Sequence, residues 1–241
     1  MTLPFPAPAS SAFFRDRAAA GRALAKLLSG NRDIPKGLVL ALPRGGVPVG
    51  AAVAEALRLP LDILVVRKIG YPGSPEYAMG AIASGGIVTI NEGIDPDSER
   101  IRDAWQRTLN EEKEELSRRE KMYRGNRKRP DVKDKAVIIV DDGLATGATM
   151  AAAVQSVNER GAEKCVVAVP VASGEARDRL QEIADEVVCV AVPPDFRGVG
   201  RFYDDFSQTT DEEVVQLLKS QPWAFSPLDE AARPAKDRPC E

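Results

Sequence analysis

Apolar runs recur along the chain at intervals that set its architecture. Residues 38–42 (LVLAL), 62–66 (DILVV), 137–140 (VIIV), 164–171 (KCVVAVPV) and 186–192 (EVVCVAV) are rich in β-branched side chains and show little polar alternation. Runs of this kind predict strands buried on both faces. Between them lie stretches with helical character, at about residues 47–57, 150–157, 174–183 and 211–219. Strand and helix alternate, which predicts an α/β fold with a mainly parallel, doubly wound sheet covered on both sides. Ahead of the first strand, residues 12–29 read as a helix capped by Ser11 and closed by Gly30, with Phe14, Ala18, Leu24, Leu27 and Leu28 on one face. Two apolar runs around Ser84-Gly85-Gly86 predict a hairpin over residues 79–90. Asp95-Pro96 reads as the start of a long charged helix to about Tyr123, with Ile101, Trp105, Leu109, Leu116 and Tyr123 as a narrow apolar stripe. Glu114–Arg118 and Glu115–Arg119 are favourable pairs on its surface. Residues 124–135 are strongly basic and read as a linker.

Candidate chemistry concentrates in residues 137–150, VIIVDDGLATGATM. A buried strand runs into two carboxylates, Asp141 and Asp142, then into a small Gly/Thr loop, then into a helix. Amides of Ala145, Thr146, Gly147, Ala148 and Thr149 can point at a phosphate, helped by the helix dipole and two hydroxyls. The carboxylates just before that cradle can bind hydroxyls or a cation. A phosphate and a diol held a few ångströms apart describe a ribose 5-phosphate. Turn chemistry alone does not call for a paired carboxylate and two threonines.

This stretch resembles the ribose-phosphate signature of the type I phosphoribosyltransferases, and the match runs through all fourteen residues without a gap. The resemblance implies transfer of the 5-phosphoribosyl group from phosphoribosyl pyrophosphate to a nitrogen acceptor, with release of pyrophosphate. It implies that residues 145–149 hold the 5-phosphate. Asp141 and Asp142 then bind the ribose hydroxyls and meet Mg²⁺, indirectly or through water. Pro43-Arg44-Gly45-Gly46, at the end of another strand, resembles the family's pyrophosphate loop, which often contains a strained or cis peptide. Its fixed charge and exposed amides suit a pyrophosphate. Arg67 and Lys68 match cations found at a strand end in several members. Residues 69–78, dense in Gly and Pro, lie where the family has its mobile catalytic loop, with Tyr71, Glu76 and Tyr77 facing a bound substrate. Residues 195–206 loosely resemble the base-binding hood of purine phosphoribosyltransferases. Phe196, Phe202 and Tyr203 would stack on a base there and Asp204 would read its edge. The spacing and the extra arginines depart from that pattern, so the acceptor stays open among purines, orotate, uracil and a non-nucleobase amine, with purine slightly preferred.

Composition narrows the chemistry. The chain has 241 residues, a formal charge of −3 and no histidine, which excludes imidazole catalysis and imidazole metal ligands. The charge argues against a general nucleic-acid or membrane-surface partner. Cys165, Cys189 and Cys240 are widely spaced, and the first two lie in strand-like runs, as in a reducing compartment. No apolar run approaches a membrane span, and the N-terminus does not read as a signal peptide, so a cytoplasmic protein is expected. The chain divides into an extension and helix (residues 1–35), a phosphoribosyltransferase-like domain (36–220) with a helical insert at about 95–130, and an irregular tail (221–241). The family usually forms homodimers, and a homodimer is the expected assembly. Two rival readings remain: a regulator that senses phosphoribosyl pyrophosphate or a nucleotide without turnover, and an unrelated nucleotide-binding enzyme such as a kinase. The absence of G-x-x-x-x-G-K-[ST] weighs against the second.

Overall fold

The computed structural model describes residues 13–30, 37–71 and 74–220; for residues 74–76 it describes the backbone alone. A five-stranded parallel sheet forms the centre, in the order β2-β1-β6-β7-β8. Its strands are β1 (Leu38–Ala41), β2 (Leu61–Ile63), β6 (Ala136–Val140), β7 (Lys164–Val171) and β8 (Glu186–Ala191). Alternate residues of each strand serve opposite faces. Val39, Ala41, Ile138, Val140, Val166 and Ala168 join one core, while Leu38, Leu40, Val137, Ile139, Cys165 and Val167 join the other. Both faces are therefore sealed, which is why the strands read as continuous apolar runs. α1 (Arg17–Leu28), α2 (Gly46–Leu57) and α6 (Asp211–Ser220) contribute to the first core; α4 (Ala148–Glu159) and α5 (Gly174–Gln181) contribute to the second.

A smaller antiparallel sheet holds β3 (Val66–Tyr71), β4 (Ser74–Ala83) and β5 (Ile87–Ile90). The hairpin expected around residues 84–86 is the β4–β5 connection, with Gly80 opposite Ile90. Two expectations fail here. The third central strand stops at Ile63, and Val66 already belongs to the second sheet. Residues 69–71 and 74–78 are not irregular: they lie in the arms of a second hairpin, with Ile69 opposite Gly80 and register shifts on both sides of Gly70. Those shifts accommodate Gly70 within the pairing.

Helix boundaries differ from the reading of the sequence at their starts. α1 begins at Arg17, because extended Asp16 caps it and accepts Ala19 N–H at 2.7 Å; Ser11 lies outside the described residues. α3 (Arg102–Arg124) starts well after Asp95-Pro96, whose neighbourhood forms turns instead. Its apolar stripe is buried as expected, from Ile101 to Tyr123. Glu115 takes both Arg118 (2.6 Å) and Arg119 (2.7 Å), so the Glu114–Arg118 pairing does not form. At the far end, Arg124 is no solvated linker residue. It is buried and pairs with Asp62 at 3.1 Å and Glu120 at 3.1 Å. Burial pushes the Asp62 carboxyl up, and the Arg124 charge opposes that rise.

Candidate active site

Two loops leave neighbouring strands at the same edge of the central sheet. β1 pairs in parallel with β6, Ala41 opposite Val140, and Leu42 N–H donates to Val140 O at 2.9 Å. The PRGG turn follows β1 and the acidic turn follows β6, so parallel pairing brings them side by side. The Pro43–Arg44 peptide is cis. Gly45 packs so closely on the acidic turn that a Cβ there would stand 2.0 Å from Asp142 Oδ2. Only glycine permits this approach.

Asp141 and Asp142 are half-buried. Asp142 N–H donates to Asp141 Oδ1 at 2.8 Å. Burial, then the charge of Asp142, push the Asp141 carboxyl well above the usual carboxylate range. Burial also raises Asp142, against the hydrogen bond and charge of Arg17.

The expected phosphate cradle is anchored from the next strand. Leu144 N–H donates to Val171 O (2.9 Å), Ser173 N–H to Leu144 O (2.9 Å) and Ser173 Oγ to Ala145 O (2.7 Å). Ala145 and Thr146 are exposed at the tip. Gly147 takes φ 73° and caps α4, so Ala148 and Thr149 present the first helical amides, which have no acceptor within the helix.

The remaining candidates are placed differently from the expectation. Arg67 lies in β3 and pairs with Glu112 of α3 at 2.7 Å; Lys68 beside it is exposed. Among the described residues no hydrogen bond or ion pair links either to the acidic turn. Tyr71 is half-buried in β3 and Tyr77 is largely exposed in β4, while the Glu76 side chain lies outside the described residues. Arg44 sits 3.8 Å from Asp211 of α6, whose carboxylate also accepts Tyr123 Oη–H at 2.5 Å. In the expected hood, Tyr203 is buried and donates its hydroxyl to Asp142 O at 2.6 Å. It braces the acidic turn and has no free face for a base. Phe196 and Phe202 stack on each other with centroids 5.9 Å apart, and the Asp204 side chain is exposed.

One residue of the site escaped the sequence reading. Arg17 Nε donates to Asp142 Oδ2 at 2.9 Å. Its charge stands in the first turn of α1, the end where the helix dipole disfavours a cation, and that misplacement was the available signal. Backbone bonds between Phe14 and residues 202 and 204 carry it there.

The sequence profile of the phosphoribosyl transferase domain matches residues 14–207. The chain belongs to this family. It is 44% identical over 208 residues to a Mycobacterium tuberculosis protein provisionally named a phosphoribosyl transferase, covering 85% of this chain and 46% of that protein. The chain thus spans about half the length of the curated relatives it matches. A Thermus thermophilus protein of known crystal structure shares 42% identity and a TM-score of 0.77, over 88% of this chain and 99% of that one. The phosphoribosyl transferase domain accounts for the five-stranded parallel sheet with its small antiparallel companion, and the family is one of transferases. Among the described residues, no helix is long and apolar enough to cross a membrane.

Proposed function

We propose that this domain moves the 5-phosphoribosyl group from phosphoribosyl pyrophosphate to a nitrogen acceptor, a nucleobase in the first instance, and releases pyrophosphate. The observation that carries the reading is the contact of Gly45 with Asp142, which sets a cationic turn and an acidic turn against one another at adjacent strand ends. In this reading residues 145–149 bind the 5-phosphate, and Asp141 and Asp142 take the ribose hydroxyls. Arg44, Gly45 and Gly46 take the pyrophosphate, with Lys68 reaching in from β3. The reaction develops positive charge on the sugar ring, which the two carboxylates stabilise. With no histidine in the chain, an acceptor proton leaves to a carboxylate, a tyrosine or water.

Two adjacent carboxylates suit Mg²⁺ held mainly by water and ligand oxygens. Among the described residues no group of three carboxylate or thiol side chains forms a protein cage. Bound there, the ion would supply charge to the leaving pyrophosphate. The two described cysteines are buried and free, which supports a cytoplasmic setting.

A second reading has its own support. Asp142 is already paired with Arg17, and Arg44 already faces Asp211. A sensor that binds the pyrophosphate compound and reports by exchanging these internal partners would look the same. A pyrophosphate-release assay separates the two, run over purines, pyrimidines and a simple amine with and without magnesium. Transfer requires release that depends on one acceptor and on the metal. Binding without release from any acceptor favours the sensor. Absence of both removes both readings.

A further inference from the structure

The carboxylate of Asp142 is gripped from two sides. Gly45 backs Oδ2, and Arg17 Nε donates to that same oxygen. Oδ1 stands farther back, 3.3 Å from the position of a Gly45 Cβ, and Arg17 Nε bonds Oδ2 instead. Arg17 is itself immobilised: its side chain is 11% exposed, Nη1 donates to Ser207 O at 2.7 Å, and Cζ lies 4.0 Å above the Phe206 ring. The strap that delivers it is zipped by Phe14 N–H to Phe202 O, Asp204 N–H to Phe14 O and Asp205 N–H to Arg15 O, all 2.9 Å. Tyr203, on that strap, holds the Asp142 carbonyl. Among the described residues Arg17 is the one base that pairs with either carboxylate of the acidic turn.

We propose that Arg17 is the positioning residue of the acidic turn: it clamps Oδ2 of Asp142 and leaves Oδ1 to meet the ribose hydroxyls. The inference rests on the proposed function, because it assumes that Asp142 faces a ribose. A planar guanidinium does this with geometry an ammonium lacks, since it must bond a carboxylate, bond a carbonyl and stand over a ring at once. The clamp adds no atom to the reaction. It fixes one rotamer of a side chain that would otherwise turn away from its neighbour Asp141.

Calorimetric titration of the whole chain with magnesium phosphoribosyl pyrophosphate tests this, with magnesium pyrophosphate as the ligand that lacks the sugar. Arg17→Gln weakens binding of the sugar compound by about tenfold or more, the usual scale for losing a bond to a charged group. It leaves pyrophosphate binding unchanged, and Arg17→Lys restores part of the loss. A thermal melt of each variant establishes that it folds; if Arg17→Gln does not, Arg17→Lys alone must still show the selective loss. Unchanged or tighter binding of the sugar compound by Arg17→Gln overturns the proposal, because Arg17 would then be idle or a competitor. Equal weakening of both ligands overturns it too, since that marks general damage to the site. A wild-type protein that binds neither ligand overturns the proposed function and this inference together; wild-type binding with no selective loss overturns this inference alone.

Discussion

Gly45 and Asp142 occupy space that a single added methyl would fill: a Cβ on Gly45 would lie 2.0 Å from Oδ2 and 2.7 Å from Cγ of Asp142. The two residues are far apart in sequence and meet because β1 and β6 are neighbours. Asp142 cannot retreat easily, since Arg17 holds that same Oδ2. Gly45→Ala therefore displaces the acidic turn, at about 1–3 kcal/mol for overpacking. Gly174→Ala is the control, because a Cβ there meets nothing within 4 Å and the backbone is ordinary helix start. Chemical denaturation should show a clear loss for the first and little change for the second. Ligand binding should fall only in the first.

Asp141 sits where burial and a neighbouring charge both oppose its ionised form. Burial and the adjacent Asp142 charge both push its carboxyl up, so its ionised form destabilises the ligand-free fold at neutral pH. Asp141→Asn removes that charge and keeps the shape. The ligand-free variant should gain about 1 kcal/mol, roughly 2–4 °C in melting temperature for a chain of this size. Pyrophosphate release should drop sharply in the same variant. A lower melting temperature would show that the carboxylate serves the fold.

The two halves of this site differed in how readable they were. The stretch from β6 into α4 is local: its apolar run, its two carboxylates, Gly147 and its helix follow within one segment, so periodicity and turn chemistry expose it. The same holds for β7, α5 and β8. Arg17 lies 125 positions from the carboxylate it holds, and no local pattern records such a pairing. Tyr203 looked like a stacking ring because its bracing bond is also non-local, 61 positions from Asp142. The β3–β4 hairpin hid behind Gly and Pro, whose propensities were overridden by pairing with a register shift.

Arg124 is a buried polar tie between α3 and β2. Its side chain is 4% exposed, and it bonds Asp62, Glu120 and the Ile63 carbonyl. Arg124→Ala leaves the Asp62 carboxylate buried without its partner, a loss of about 3–5 kcal/mol by the usual scale for broken buried pairs. Asp62→Asn combined with Arg124→Met removes both charges and should recover much of that loss. The comparison is made by urea denaturation at neutral pH. A double variant as unstable as Arg124→Ala would assign the effect to packing of the Arg124 stem.

Tyr123 gives the clearest pH signature. Its hydroxyl donates to Asp211 at 2.5 Å, and burial, followed by that bond, raises it from an ordinary 10 to about 12. The neutral phenol is the form the fold favours. The stability it contributes is thus fully present below pH 10 and is lost as pH rises through about 12. Tyr123→Phe loses the bond at neutral pH, about 1 kcal/mol, but has no proton to lose. Melting curves of wild type and variant should therefore converge between pH 10 and 12. A constant gap across that window would show that folding leaves the Tyr123 phenol at its ordinary value, and would overturn the raised one.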